Sequence, residues 1–266
     1  MSEERHRPRK RWGQNFLRDP ASAQRIVDAI EPAGDEVIVE IGPGEGMLTE
    51  RLLRLGHPVT AIEIDPLLVE RLQHRLDSPL LSIIHGDATR AALPDRPFRA
   101  VGNLPYNVAT PILRRVIASP SCRRSVFMVQ KEVADRITAA AGDDDYGFLT
   151  IFVQLYAQPK IIATLGPGAF RPRPKVKSSV IVFDPVSRPA RVSKEHLLEL
   201  VSASFRMRRK KLVNNLIGYR DLGRAGIETA LADAGIEEGT RAEVLSLEDF
   251  DRLAAAIEPL AGAAAR

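Results

Sequence analysis

Val37-Ile38-Val39-Glu40-Ile41-Gly42-Pro43-Gly44-Glu45-Gly46 sets a β-branched run against three glycines at alternate positions, and a helix-forming stretch to Leu55 follows before Gly56. Strand, glycine loop and helix in that order open an α/β domain with a largely parallel sheet. The pattern repeats outward. Val59 to Ile64 reads as the next strand, with Glu63-Ile64-Asp65 at its end, and Pro66 starts a helix whose apolar stripe is Leu68, Val69, Leu72 and Leu76. Leu80 to Ile84 leads to His85-Gly86-Asp87, and Phe98 to Gly102 leads to Asn103-Leu104-Pro105-Tyr106. A helix near Thr110 to Ala118 precedes a fifth strand at Ser125 to Val129. Upstream, Asp19-Pro20 predicts the N-cap and first turn of a helix buried through Ile26, Val27 and Ile30. Downstream, strands at Lys160 to Leu165 and Ser178 to Phe183 flank the proline-rich Phe170-Arg171-Pro172-Arg173-Pro174.

Beyond Pro185 to Pro189 only helical periodicity persists, at Leu197, Leu198, Val201 and Phe205, then Leu212 and Leu216, then Leu253 and Ile257. The expected organisation is therefore a basic extension over residues 1–18, an α/β domain over 19–187 and a small helical domain over 188–266. A chain of 266 residues with 44% apolar and 27% charged side chains can bury such cores, which argues against a disordered or fibrous protein. The longest charge-free stretches, Ala100 to Leu113 and Tyr146 to Pro159, have 14 residues each, short of the ~18 of a membrane span. The charged start offers no secretory leader and the lone Cys122 no internal disulfide, so a cytoplasmic location is expected. Net charge is +4, and it divides unevenly: +4 in residues 1–18, −4 in 19–170, +9 in 171–215 and −5 in 216–266. Two basic segments brought together would suit a phosphate backbone.

The glycine loop lets backbone approach a ligand closely while helix N–H groups point at it. Its GxGxG spacing departs from the GxGxxG of dinucleotide sites, which turns the reading away from a phosphate-centred ligand. Glu63 ends the second strand 21 residues after Gly42, where an acidic side chain reaches ribose hydroxyls, and Asp87 ends the third, where it could meet an adenine amine. Together these describe a pocket for an adenosine-like ligand. At the fourth strand tip, Asn103 and a backbone carbonyl, that of Leu104, are placed to accept the hydrogens of an exocyclic adenine amine. Pro105 sets the turn and Tyr106 would stack on the base. The five histidines are scattered without metal-ligand spacing, so no metal is expected.

The chain resembles the ribosomal RNA adenine dimethyltransferases, which use S-adenosylmethionine to dimethylate N6 of adenosine. The resemblance spans about residues 9–260 and rests on Gly13-Gln14-Asn15-Phe16-Leu17, Glu40 to Gly46, Asn103 to Tyr106, Gln130 to Arg136 with Tyr146-Gly147, Phe170 to Ser178, and the basic run within Phe205 to Leu216. It implies a Rossmann-like methyltransferase sheet, mostly parallel with the last strand reversed, and a small all-helical C-terminal domain. Asn15, Leu17, Gly42 and Gly44 would line the cofactor site, Glu63 would hold the ribose, Asp87 the cofactor adenine, and Asn103 the boundary between cofactor and target. Phe170 would close on the target base opposite Tyr106. The sulfonium drives an in-line displacement, so positioning and preorganised acceptors carry the rate, without a strong general base.

Two branches of that family differ in substrate. Leu104, the Arg5 to Arg11 extension and the Phe170 to Ser178 loop point to the branch that modifies two adjacent adenosines in a hairpin near the 3′ end of small-subunit rRNA. The alternatives are a large-subunit rRNA methyltransferase conferring macrolide resistance, an RNA-binding ribosome assembly factor with secondary catalysis, and a DNA adenine methyltransferase. The expected partner is rRNA in an assembling small subunit, with no membrane, met by a monomer through Arg9, Lys10, Arg11, Arg171, Arg173, Lys175, Arg206, Arg208, Arg209, Lys210 and Lys211.

Overall fold

The structure, a computed structural model, describes residues 12–264. The chain falls into two units: one runs to Ala134 and resumes over Ala157–Pro185, and the other holds Asp135–Tyr156 and continues from Val186.

In the first unit, β1 (Phe16–Leu17) precedes α1 (Pro20–Asp28), whose start is set as the sequence predicts: the Asp19 carboxylate accepts the Ser22 amide at 2.9 Å. β2 (Val37–Ile41) is buried at all five positions, and the glycine loop leads from it into α2 (Thr49–Leu53). β3 (Val59–Glu63) leads to Asp65, which caps α3 (Pro66–Arg75) by accepting the Leu67 amide. β4 (Leu81–His85), β5 (Phe98–Asn103), α4 (Ala109–Ile117) and β6 (Cys122–Gln130) follow.

The chain then forms α5 (Lys131–Thr138) and α6 (Phe148–Tyr156) before returning to the sheet as β7 (Ala157–Leu165). A short β8 (Phe170–Arg171) pairs with β1, and β9 (Ser178–Pro185) completes the sheet. Its order is β4-β3-β2-β5-β6-β9-β7. The first five strands in that order are parallel, and β9 is antiparallel to both β6 and β7. The reversed strand expected near 178–183 is therefore present, and it lies between its neighbours rather than at the edge.

This order positions the site. From β2 the chain steps one way through β3 to β4, then crosses back to lay β5 and β6 on the other side of β2. Loops leaving β2 and β5 diverge at their carboxyl ends, and a crevice opens at that switch point. Beneath it, Ile26, Ile30, Ile38, Leu52, Val126 and Met128 form one apolar cluster, each fully buried.

The second unit is helical: α7 (Lys194–Ser204), α8 (Leu212–Leu216), α9 (Arg224–Asp233) and α10 (Leu247–Ala264) join Asp135–Tyr156. Tyr146, Ile151 and Leu155 are buried in one cluster with Leu200, Val201, Phe250 and Leu253, and the Tyr146 hydroxyl donates to the Leu245 carbonyl at 2.6 Å. By sequence alone residues 135–156 fall within the expected α/β domain. They pack instead with helices distant in sequence, because periodicity marks a buried helix face without saying which core it joins. Among the described residues, no helix is long and apolar enough to cross a membrane.

Candidate active site

The crevice of the first unit spans about 830 Å³ when the open solvent at its mouth is counted. Asn15, Gly42, Gly44, Glu63, Asp87, Asn103, Leu104, Pro105 and Tyr106 all line it. Four of these five chain segments meet because parallel strands end at one edge, and Asn15 arrives on the segment that leads into β1.

Gly44 sits at φ +58°, and a Cβ there would lie 2.8 Å from the Phe16 ring, so both the turn and the close approach require glycine. Its amide donates to Glu63 Oε2 at 3.1 Å, while Oε1 accepts the Asp65 amide at 2.9 Å. Glu63 is 4% exposed, and burial pushes its pKa up while the two amides pull it back. The carboxyl is held rigid between the glycine loop and the β3 tip, and each oxygen keeps a lone pair for a further donor.

Asp87 is exposed at the mouth. The Thr89 amide and hydroxyl both donate to its Oδ1 at 2.8 Å, and these bonds hold its pKa below the usual aspartate value. Oδ2 stays outside both bonds. Across the crevice, Asn103 Nδ2 donates to the Asn15 carbonyl at 2.7 Å, and the Leu104 amide donates to the Met128 carbonyl at 3.1 Å. The Tyr106 hydroxyl shares a 2.7 Å hydrogen bond with Ser178 Oγ.

Leu17 and Phe170 are not among the residues lining this crevice. They stand opposite each other in the β1–β8 pair, 5% and 3% exposed, within the apolar cluster that holds Ile26, Ile38 and Met128. Successive side chains of a strand point to opposite faces, so Phe16 reaches the crevice and Leu17 cannot share its side. The side chains of both residues, expected at the site, here pack into that cluster and do not line the crevice.

Other lining residues escaped the sequence reading. Trp12, Gln14, Phe16, Asn107 and Ile112 border the space, and Gln14 Nε2 donates to Asp65 Oδ2 at 3.1 Å. A Cβ on Gly13 would fall 2.8 Å from Asn107 Oδ1, so the strap from Trp12 to Phe16 lies tight against the loop after β5. Gln14 and Phe16 belong to the Gly13 to Leu17 motif, but nothing in the sequence marks Asn107 or Ile112.

Behind the glycine loop, Glu40 is fully buried, and burial pushes its pKa to about 8. The neighbouring Thr49 tempers that rise, yet neither Glu40 oxygen nor the buried Thr49 hydroxyl completes a hydrogen bond among the described residues.

Arg171 is exposed in β8, and Arg173 and Lys175 are exposed on the segment between β8 and β9. In the helical unit, Arg206, Arg208, Arg209, Lys210 and Lys211 are exposed in the turn between α7 and α8, with Arg208 donating to the Tyr146 carbonyl at 3.2 Å. Arg9, Lys10 and Arg11 lie outside the described residues.

Comparison with known proteins agrees in kind. The family model for ribosomal RNA adenine dimethylase matches residues 5–258. The chain is 44% identical over 262 residues to ribosomal RNA small subunit methyltransferase A of Methylococcus capsulatus, covering 96% of this chain and 100% of that protein. It is 43% identical to the protein of that name from Aromatoleum aromaticum, covering 94% and 93%. Among solved structures, a dimethyladenosine transferase from Plasmodium falciparum superposes with a TM-score of 0.80 over 90% of this chain and 95% of that one; at 24% identity this likeness concerns the fold. The 23S rRNA methyltransferase ErmE superposes with a TM-score of 0.70 at 27% identity, covering 92% and 100%.

Proposed function

The chain belongs to the ribosomal RNA adenine dimethylase family, and on that premise we propose that it dimethylates N6 of two adjacent adenosines in the hairpin near the 3′ end of small-subunit rRNA. S-adenosylmethionine is the methyl donor in this reading, and rRNA within an assembling small subunit is the substrate.

The residues present fit that donor. Glu63 offers buried, ionisable acceptors where a ribose would lie, Asp87 Oδ2 would accept from an adenine amine, and Gly42 and Gly44 leave room for close backbone approach. Bound there, the donor supplies a methyl group on a sulfonium whose departure as a neutral thioether drives the displacement.

The single observation that carries the target side is the bond from Asn103 Nδ2 to the Asn15 carbonyl. With its donor end occupied, the amide turns Oδ1 toward the crevice as a fixed acceptor. In the first transfer Oδ1 and the Leu104 carbonyl would accept the two hydrogens of the target amine and favour a pyramidal nitrogen, whose lone pair then points along the transfer line. The methylated nitrogen loses one proton to water, and its remaining hydrogen is accepted in the second transfer before it too is lost to water. Tyr106 stacks on the unstacked base, and the cations of the 171–175 segment meet phosphates. Phe170 could join the base only by leaving its pairing with Leu17.

Incubating unmethylated small subunits with labelled donor and mapping the product by mass spectrometry tests this reading. Dimethyladenosine at two adjacent positions near the 3′ end is expected. Label confined to large-subunit RNA or to DNA would overturn it. The 44% whole-chain identity to small-subunit enzymes supports the first outcome over the large-subunit alternative.

A further inference from the structure

We propose that Ser178 is a positioning residue for the target base, holding the Tyr106 ring in the attitude that stacking needs. This deepens the proposed reaction and rests on it. Stacking uses only the face of a ring, so phenylalanine would serve at position 106 as well as tyrosine unless the hydroxyl has work of its own. In this fold the hydroxyl meets Ser178 Oγ at 2.7 Å.

The two partners differ in freedom. Tyr106 is half-exposed in the loop after β5, on the crevice wall, where a ring can turn about both side-chain bonds. Ser178 is fully buried at the first position of β9, paired with Gln130 of β6 on one side and Leu165 of β7 on the other. Directly before it, the Lys177 carbonyl accepts the Lys131 amide at 2.9 Å. The anchor cannot follow the ring, so the ring is held by the anchor, and a bond at its far end restrains rotation most effectively. Burial also pushes the Tyr106 pKa above its ordinary value, so the hydroxyl stays protonated at neutral pH.

Ser178 also terminates the segment that carries Arg171, Arg173 and Lys175. The stretch of chain proposed to meet phosphate thus ends on the side chain that grips the stacking ring. That juxtaposition gives the terminal serine of the Phe170 to Ser178 motif a role of its own.

The test measures kcat and KM on unmethylated small subunits for the wild type, Ser178→Ala, Tyr106→Phe and the double variant. Each single change is expected to lower kcat by ~3- to 10-fold, the worth of one neutral hydrogen bond, with KM for S-adenosylmethionine within about 2-fold. The double variant is expected to be no slower than the slower single one. A double loss equal to the product of the two single losses would overturn the inference. So would a wild-type kcat in Tyr106→Phe, a change at the crevice wall that leaves the core intact. A wild-type protein that methylates no rRNA removes the proposed function and this inference together; an active wild type with additive losses removes only the positioning role.

Discussion

Asn103 Nδ2 donates a 2.7 Å hydrogen bond to the main-chain carbonyl of Asn15, two residues 88 positions apart in sequence. An amide has one donating and one accepting end, so this bond alone determines which end faces the crevice. Asn103→Ala removes the acceptor from the target amine and is expected to lower kcat by ~10²- to 10³-fold, as loss of a preorganised transition-state contact does. Asn103→Asp keeps an acceptor but sets a carboxylate oxygen against the Asn15 carbonyl, and its rate is expected to fall between the two. Subunit binding measured in parallel separates catalysis from an assembly role: Asn103→Ala is expected to bind as the wild type does, and loss of binding would refute that separation.

Glu63 joins the glycine loop to the β3 tip through the Gly44 and Asp65 amides. Glu63→Gln turns an NH2 group toward one of those amides and is expected to weaken binding of S-adenosylhomocysteine by ~10- to 100-fold, the range for a hydrogen bond to a charged group. Because burial raises the pKa of Glu63, its ionised, accepting form is lost as pH falls through that raised value. Wild-type affinity is therefore expected to decline on acidification while that of Glu63→Gln stays flat. Calorimetric titrations across pH check both statements, and equal affinities in the two proteins would sink the ribose assignment.

The buried Glu40 carries a stability signature of its own. An ordinary glutamate ionises near 4.5, whereas Glu40 holds its proton to about 8. The folded state binds the extra proton, so its contribution is fully present below about 4.5 and is lost as pH rises to about 8, with a slope of at most ~1.4 kcal/mol per pH unit. Glu40→Gln keeps the shape without the titration. Thermal melts from pH 5 to 8 are expected to show the wild type losing stability relative to Glu40→Gln; parallel curves would contradict the buried, protonated carboxyl.

Salt separates the two proposed ligands. Each phosphate neutralised adds ~0.7–0.9 to the slope of log affinity against log salt. Subunit binding should therefore weaken steeply with added salt and S-adenosylmethionine binding only slightly. Replacing Arg171, Arg173 and Lys175 together by alanine is expected to reduce the subunit slope by ~2–3 if each meets one phosphate. An unchanged slope in filter-binding measurements would remove that segment from the RNA surface.

Much of the site could be read in the sequence because local chemistry announces it. Gly42, Gly44, Glu63, Asp87 and Asn103 lie at or just beyond strand ends, and parallel strands deliver their ends to one edge whatever the details of packing. The Asp19 and Asp65 caps were equally local, since each bond closes within three residues. Asn107 and Ile112 carry no such mark, as they become part of the site only through the return of the Trp12 to Phe16 strap.

The sequence by itself determined the alternation of strands and helices, the glycine turn and the acceptors at the strand tips, because those depend on neighbours within a few residues. Tertiary structure alone decided what depends on chain segments meeting. It buried Leu17 against Phe170 and drew residues 135–156 into the helical unit. It also aimed the Asn103 amide through Asn15 and tied Tyr106 to Ser178. A side chain's type and spacing state what it can bond. Which partner it finds is settled only when distant segments exclude water between them and leave each buried polar group a single geometry that satisfies it.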